Sequence, residues 1–553
     1  MSAPKLKRRE FVQYLGASAV IAAGHRLVPN WMITRASTPL STATPLLDNL
    51  DFTPAAISNS GDLTLSEGFE YDVLLKRGDV LNPEGETYGD HNDYLAIVQR
   101  DDTTGWLWSN HENATMRFLL PGEKDDTMEY IVTRLTNMGG SVIRIEKQPG
   151  GSWRPVLPHS ENFRVDGLNS RLKFTGPAAG TDRVFGESEA IGSLGNCGGG
   201  ITPWGTFCTA EENYKETWGD PEMNDKPPKS AKHIQRPSEH YGYICEIDPD
   251  TRELFKHTSL GRMAHENVAF NLTRDGRLVA YTADDRVEQC LYKFISRDKY
   301  DHSAGKANRR LLDHGTLYVA NTEKGRWIAL DPVTNRKLRD HEFDAARVCV
   351  NTRTAAKIVG GTPLARPEDV EVHPVTGELY VALTSWEAAG IDKTKEDYFP
   401  DIAGALGRLR EKDDDAASLE FEFGILVPGS KETGLSWPDN IAFTEDNHLM
   451  VATDYAINHK IKENSSQEQL GNNFLVVIPT SGPRENEVIR FAVTPRGAEF
   501  CSPTLSLDRQ ELWLNIQHPG DDSPNLKELS THFPEGGDAI PKSAMVAIRR
   551  KQA

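Results

Sequence analysis

Only six cysteines occur in the 553 residues, Cys197, Cys208, Cys245, Cys290, Cys349 and Cys501, and no two form a CxxC pair. That scatter excludes a dense disulfide framework and leaves each thiol open to two readings, a buried apolar side chain or a metal ligand. There is no Walker loop, no GxSxG elbow and no HExxH helix, so nucleotide-binding, α/β-hydrolase and zincin chemistries have no support. Basic residues are in deficit. The 62 Lys and Arg against 81 Asp and Glu leave a net charge of -19, which argues against a nucleic-acid binder with its basic face. After the N-terminal segment no apolar run is long enough to span a membrane.

What is abundant is turn chemistry. With 45 Gly, 32 Pro and 38% hydrophobic residues, and a mean hydropathy of -0.52, the chain reads as soluble, globular and turn-rich. Much of the acidic surplus serves solubility. The functional share is the part that clusters.

Lys7-Arg8-Arg9-Glu10-Phe11-Val12 precedes a short, mildly apolar run, Tyr14 to Gly24. Paired arginines followed by Phe and a weak h-region are the twin-arginine export pattern. The expected domain organisation is therefore a signal peptide over 1–36 and a single mature domain over 37–553. The mature protein is expected in the periplasm or secreted, exported folded by the twin-arginine machinery, and monomeric.

Six segments share one design, an alternating run, a tight polar turn and a second alternating run. They are Tyr94 to Glu112, Ile201 to Glu212, Val268 to Asp285, Val370 to Thr384, Ile441 to Asp454 and Pro503 to Gln517. Period-two alternation about a turn signals a hairpin, and its recurrence signals an array. The spacing of about 60 to 100 residues exceeds that of ordinary propeller repeats and implies large insertions. The fold expected is all-β, a β-propeller of six blades closed on itself, with a pair of β-sandwiches as the structural alternative. Two insertions stand out: 214–240, polar and expected as a surface excursion, and 386–431, which holds a helical-looking stretch (DIAGALGRLREK) and the acidic run Asp413 to Asp415. Either could cover the mouth of a channel.

Chemistry gathers where the hairpins begin and end. Asn196 to Glu212 sets a cysteine before three glycines and ends in two adjacent carboxylates. Similar clusters are Asn110-His111-Glu112, His265-Glu266-Asn267, Asp284-Asp285-Arg286, Arg366-Pro367-Glu368-Asp369, Trp437-Pro438-Asp439-Asn440, Thr453-Asp454 and Gln517-His518. Inner strands of a propeller converge on its channel, and a funnel of so many carboxylates needs cations to fill it. Oxygen donors suit calcium or magnesium, whereas a thiolate suits a transition metal. Arg286 and Arg366 could hold an anionic substrate, since guanidinium recognises phosphate bidentately. The bland readings stand beside these: Asp285 and Asp454 as turn caps, His111, His265 and His518 as satisfied loop histidines, Arg286 as a partner of Asp284.

Taken in order along the mature chain, these clusters, together with Asn92-Asp93-Tyr94, the TPWGT after Cys197, GTLYVA at Gly315 to Ala320 and NIQHPG at Asn515 to Gly520, resemble the PhoX family of bacterial alkaline phosphatases. The resemblance implies a six-bladed propeller with iron and calcium in its channel, acting on phosphate monoesters. It implies Cys197, Glu266 and Glu368 as iron ligands, and Glu211 or Glu212, Asp285 and Asp454 as calcium-binding or bridging residues. Arg286 and Arg366 would orient phosphate, with Glu112, Asn110 and Asp439 as further members. One departure falls after Thr384, where Ser385-Trp386-Glu387 leads into the acidic insertion.

The function expected is metal-dependent hydrolysis of a phosphorylated small molecule by a metal-bound oxygen nucleophile. The alternatives are a calcium-dependent propeller lactonase or phosphodiesterase, and a non-catalytic secreted calcium-binding propeller.

Overall fold

The computed structural model describes residues 45–385, 404–444, 446–463 and 465–551. The chain divides into two units, Met1–Ser37 and Thr38–Ala553. The first, with the expected export signal, lies outside the described residues, as do residues 386–403 of the second expected insertion.

Among the described residues six sheets of four or more strands follow one another along the chain, and each ends on one side in an inner strand: Asn92–Gln99, Asn196–Ile201, Ala269–Leu272, Pro367–Val372, Pro438–Phe443 and Glu499–Leu505. These six strands neighbour one another in a closed circle, the last beside the first. Each pairs antiparallel with the strand that follows it in sequence. The six hairpins expected from alternation are these inner pairs, and the fold is a six-bladed β-propeller. Closure comes from the ends of the domain: Phe69–Lys76 pairs with Ala544–Arg550 and supplies the fourth strand of the sixth blade. Thr64–Leu65 likewise extends the fifth blade by pairing with Ile489–Val493.

The apolar face of each alternating strand is buried against the next blade. Phe491, Phe500 and Leu514 lie in one cluster between the fifth and sixth blades, Leu107, Ile143 and Trp513 in another between the sixth and first. Each such side chain contributes about 1.5–3 kcal/mol.

Two expectations need correction. The stretch read as helical is, from Ala405 on, the third strand of the fourth blade, Ala405–Glu411, which pairs with Leu379–Leu383 and Phe421–Pro428. Leu409 and Glu411 face inward while Arg408 and Arg410 face water, a period of two that the leucine spacing concealed. Glu411 is buried because Lys293, 2.5 Å away, and Trp327 satisfy it. The acidic run Asp413 to Asp415 is the turn between the two strands.

Segment 214–240 is no free surface excursion. Tyr214, Trp218 and Asp220 are buried, and Asp220 is held by Arg262 and Arg353. Polar composition suggested exposure, but Asp220 is paired inside and the aromatic side chains beside it are buried. A third excursion, unmarked in the sequence reading, runs between the third and fourth blades through helices Arg336–Asp340, Ala345–Val350 and Thr352–Val359. Asp344 caps the second of these by accepting from Arg347 N at 2.7 Å.

Candidate metal centre

Where the inner strands begin, each blade delivers one donor to the axis: Asp93, Cys197, Glu266, Glu368, Asp439 and Glu499. All six are buried and line one cavity of about 430 Å³. The local backbone explains how. In five blades the residue two positions before the donor is left-handed, namely His91 (φ 43), Gly195 (φ 58), Arg366 (φ 49), Trp437 (φ 48) and Gly497 (φ 74). Three of these carry side chains, at a cost of about 1–3 kcal/mol each. In the third blade the carboxylate of Asp284 accepts from Ala264 N at 3.1 Å instead.

Directly after that turn the ladder slips register, between Asn92 and Leu95, Asn196 and Gly199, Pro367 and Val370, and Pro438 and Ile441. A bulge frees a residue from pairing and re-aims its side chain. Here it aims the donor down the channel.

The residue after the donor stitches the ring. Asn267 exchanges both its amide groups with the backbone of Val370, Asp369 accepts from Ile441 N at 2.9 Å, and Asn440 accepts from Ser502 N at 2.9 Å. After Cys197 stand glycines instead. A Cβ on Gly198 would lie 2.3 Å from Glu266 O, and one on Gly200 would lie 2.2 Å from Val268 O, so only glycine lets the second and third inner strands approach this closely.

A second tier stands above the first. Glu112, Glu212, Asp285 and Asp454 follow the second strands of their blades and line the same cavity. His518 occupies the same place in the sixth blade, with Nε2 3.1 Å from Glu499 Oε1. Cys197 Sγ lies 3.3 Å from Asp93 Oδ2 and 3.2 Å from Glu266 Oε1.

Confinement makes this an anionic site that resists ionisation. Burial, then repulsion from Glu112, pushes the Asp93 carboxyl up to about 8. Burial likewise drives Glu266, Glu368, Asp439 and Glu499 well above the carboxylate range, each repelled by neighbouring carboxylates. The Cys197 thiol is raised by burial and by Asp93. Bound cations reverse that balance.

The donor set fits metal ions. Donor atoms of Asp93, Glu112 and Cys197, of Cys197, Glu212 and Glu266, of Glu266, Asp285 and Glu368, and of Asp439, Asp454 and Glu499 fall in groups within 4.8 Å. Asp93 Oδ1 and Glu499 Oε2 are buried with no hydrogen-bond donor at all, and such atoms are costly unless a cation satisfies them.

Three cations of the chain flank these donors, Lys215, whose Nζ lies 3.9 Å from Glu212 Oε1, and two arginines. Arg366 clasps Asp285 through Nε at 2.9 Å and Nη2 at 2.6 Å, and its Nη2 also lies 2.9 Å from Glu368 Oε1. Arg286 sits at the rim, paired with Asp225 at 2.9 Å rather than with Asp284. Asp284 is engaged by Arg353.

Of the metal-binding residues expected from sequence, Glu211 is not in the cavity. Its carboxylate takes Lys256 Nζ at 2.7 Å and the N–H groups of Leu194, Gly242 and Tyr243. Adjacent strand residues face opposite ways, so only Glu212 turns inward. Asn110 supports rather than lines, donating to the carbonyls of Cys197 and Gly198. His111 and His265 are satisfied internally, by Asn92 and Ser141 and by Thr282 and Gly261. The sequence reading gave no role to Asp93, Glu499, Cys501 or Lys215. The equivalence of Asn92-Asp93 to Asn196-Cys197, each opening an inner strand, was the available signal for the first.

A closed propeller whose channel is lined by a thiol, buried carboxylates and flanking arginines defines a metal-dependent enzyme. The family of alkaline phosphatase PhoX matches residues 50–520, and the chain belongs to it. Among solved structures it is similar to Pseudomonas fluorescens PhoX in complex with vanadate, a transition-state analogue, with 28% identity and a TM-score of 0.79 over 90% of this chain and 97% of that one. Much fainter likenesses, which carry no argument about function, are to a protein of unknown function from Dyadobacter fermentans (9% identity, TM-score 0.37, 88% of this chain and 100% of that one) and a Xanthomonas campestris gluconolactonase (9%, TM-score 0.32, 93% and 99%). No curated protein matches the chain. The protein is a metal-dependent phosphatase, a hydrolase of phosphoric esters. The lactonase and binding-propeller alternatives are not favoured.

Proposed function

We propose that the chain hydrolyses phosphate monoesters in this cavity with iron and calcium as its metals. Cys197, Glu266 and Glu368 hold the iron in this reading, because a thiolate beside carboxylates suits a transition metal. Glu212, Asp285, Asp454, Glu112 and Asp439 offer oxygen only, which suits calcium. When bound, the metals supply Lewis-acid polarisation of the phosphoryl group and activation of the attacking oxygen.

The observation that carries the assignment of substrate is Arg366. Its Nη2 stands 2.9 Å from Glu368 Oε1, so an anion reaching the metal ligands comes within reach of a guanidinium already oriented by Asp285. Arg286 approaches the same anion from the rim, and together they offset charge that develops on the phosphoryl oxygens. The vanadate complex of the Pseudomonas fluorescens relative supports phosphoryl transfer in a channel of this kind. The apolar side chains lining the cavity are Met223 and Val287, on the segments that carry Asp225 and Arg286, so the leaving alcohol faces the mouth and the phosphate faces the floor. Among the described residues no helix is long and apolar enough to cross a membrane. The twin-arginine segment makes this an exported enzyme, periplasmic or secreted, that works as a monomer on a phosphorylated small molecule.

Elemental analysis of natively exported protein, with p-nitrophenyl phosphate and bis-p-nitrophenyl phosphate turnover on the same sample, tests the reading. Iron with calcium and monoester turnover is the expected result. Calcium alone, with neither ester cleaved, overturns it.

A further inference from the structure

Five of the six inner strands present an apolar residue or glycine two positions after the donor: Leu95, Gly199, Val268, Val370 and Ile441. The sixth presents Cys501. Glu499, Phe500 and Cys501 pair in unbroken register with Gln517, Ile516 and Asn515, so Glu499 and Cys501 face the same side of the strand. Phe500 faces the other way and joins the apolar core between the blades.

Cys501 is fully buried, yet its surroundings are polar. Donor atoms of Asp93, Glu499 and Cys501 lie within 4.8 Å of one another. The Gln517 amide donates to Asp93 Oδ2 at 2.7 Å and approaches Cys501 Sγ at 3.7 Å. The unsatisfied oxygens of the centre, Asp93 Oδ1 and Glu499 Oε2, belong to this trio. A structural cysteine sits among apolar neighbours. This one sits between two buried carboxylates, each with one oxygen that lacks a donor.

We infer that Asp93, Glu499 and Cys501 form a second thiol-bearing metal subsite, one step further along the sixth inner strand than the first tier, and that it takes a thiophilic divalent cation rather than calcium. Asp93, 3.3 Å from Cys197 Sγ, then joins the two thiol subsites through one carboxylate. Binding displaces the thiol proton to solvent and involves no change of oxidation state. The inference rests on the metal-centre reading above, and its test separates the two.

Wild-type protein and the Cys501→Ser and Cys197→Ser variants are stripped and reloaded with Co²⁺, with metal stoichiometry, circular dichroism and the near-ultraviolet thiolate-to-cobalt charge-transfer band recorded. The expected result is a wild-type band from two thiolates, about half of which survives in each variant, and loss of bound metal in Cys501→Ser. An unchanged band and metal content in folded Cys501→Ser overturns the subsite while leaving the main centre standing. If Cys501→Ser does not fold, Cys197→Ser decides: a surviving band supports the subsite, and complete loss of the band overturns it. Absence of bound metal in the wild type overturns both readings.

Discussion

Arg353 meets Asp284 side-on, Nε to Oδ2 at 2.6 Å and Nη2 to Oδ1 at 2.7 Å, while its remaining nitrogen binds Asp220. The pair is almost wholly shielded from water. One guanidinium thus ties the residue preceding the cavity donor Asp285 to the segment that supplies Met223 and Asp225 at the rim. Replacement by Met leaves two buried carboxylates short of their partner and should cost about 3–5 kcal/mol. Urea denaturation checks the stability. Ester kinetics should show a raised KM as well, because the segment that holds Arg286 through Asp225 is released.

Adjacent Glu211 and Glu212 should behave as different residues. Glu211→Gln leaves Lys256 buried without its counter-charge and should destabilise the fold by about 3–5 kcal/mol, with metal content retained by whatever folds. Glu212→Gln should leave thermal unfolding of the chelated protein nearly unchanged and lower bound metal. Elemental analysis beside thermal melts distinguishes the two.

Arg366→Gln should lower kcat/KM for a phosphate monoester by about 10²–10³ and weaken inhibition by inorganic phosphate, with iron still bound. Arg286→Gln should cost less, since that side chain is partly exposed and already paired with Asp225. Steady-state kinetics with metal analysis on each sample tests both.

The metal-free protein should lose stability as pH rises. Asp93 has its folded pKa raised to about 8, and Glu266, Glu368 and Asp439 are raised by the same burial and repulsion. The folded state therefore binds more protons than the unfolded chain between about pH 4 and pH 8. That contribution is complete below the ordinary carboxylate range and is lost as pH climbs through the folded values. Melting temperature measured in chelator should fall across this window and fall less steeply in Asp93→Asn, while metal-loaded protein should show no such decline.

The propeller was legible because alternation and turn residues repeat six times, each marking an inner hairpin, and no single segment had to be read correctly. Much of the centre was legible too, since Glu266, Glu368 and Asp439 stand beside Asn or Asp residues that bind the next strand's backbone. Glu499 escaped because it lies alone between Ala498 and Phe500 with no polar neighbour to mark it. Asp93 escaped because the apolar alternation begins only at Tyr94, beyond the bulge. Glu211 was indistinguishable from Glu212 until strand pairing fixed which of two neighbouring carboxylates turns inward. The strand from Ala405 to Glu411 reads as a helix because its leucines fall at positions 406 and 409, a helical spacing, and both are buried on a strand whose ladder slips register between Leu406 and Gly407.

A strand from near each end of the domain completes the same blade, Phe69–Lys76 lying against Ala544–Arg550. The donors reach the axis from all six blades, so the full ring of donors is whole only when every blade is in place. Until Ala544–Arg550 pairs with Phe69–Lys76, the sixth blade lacks its outermost strand and the ring is not closed. The complete set of donors is therefore a late product of folding, assembled only in a finished ring.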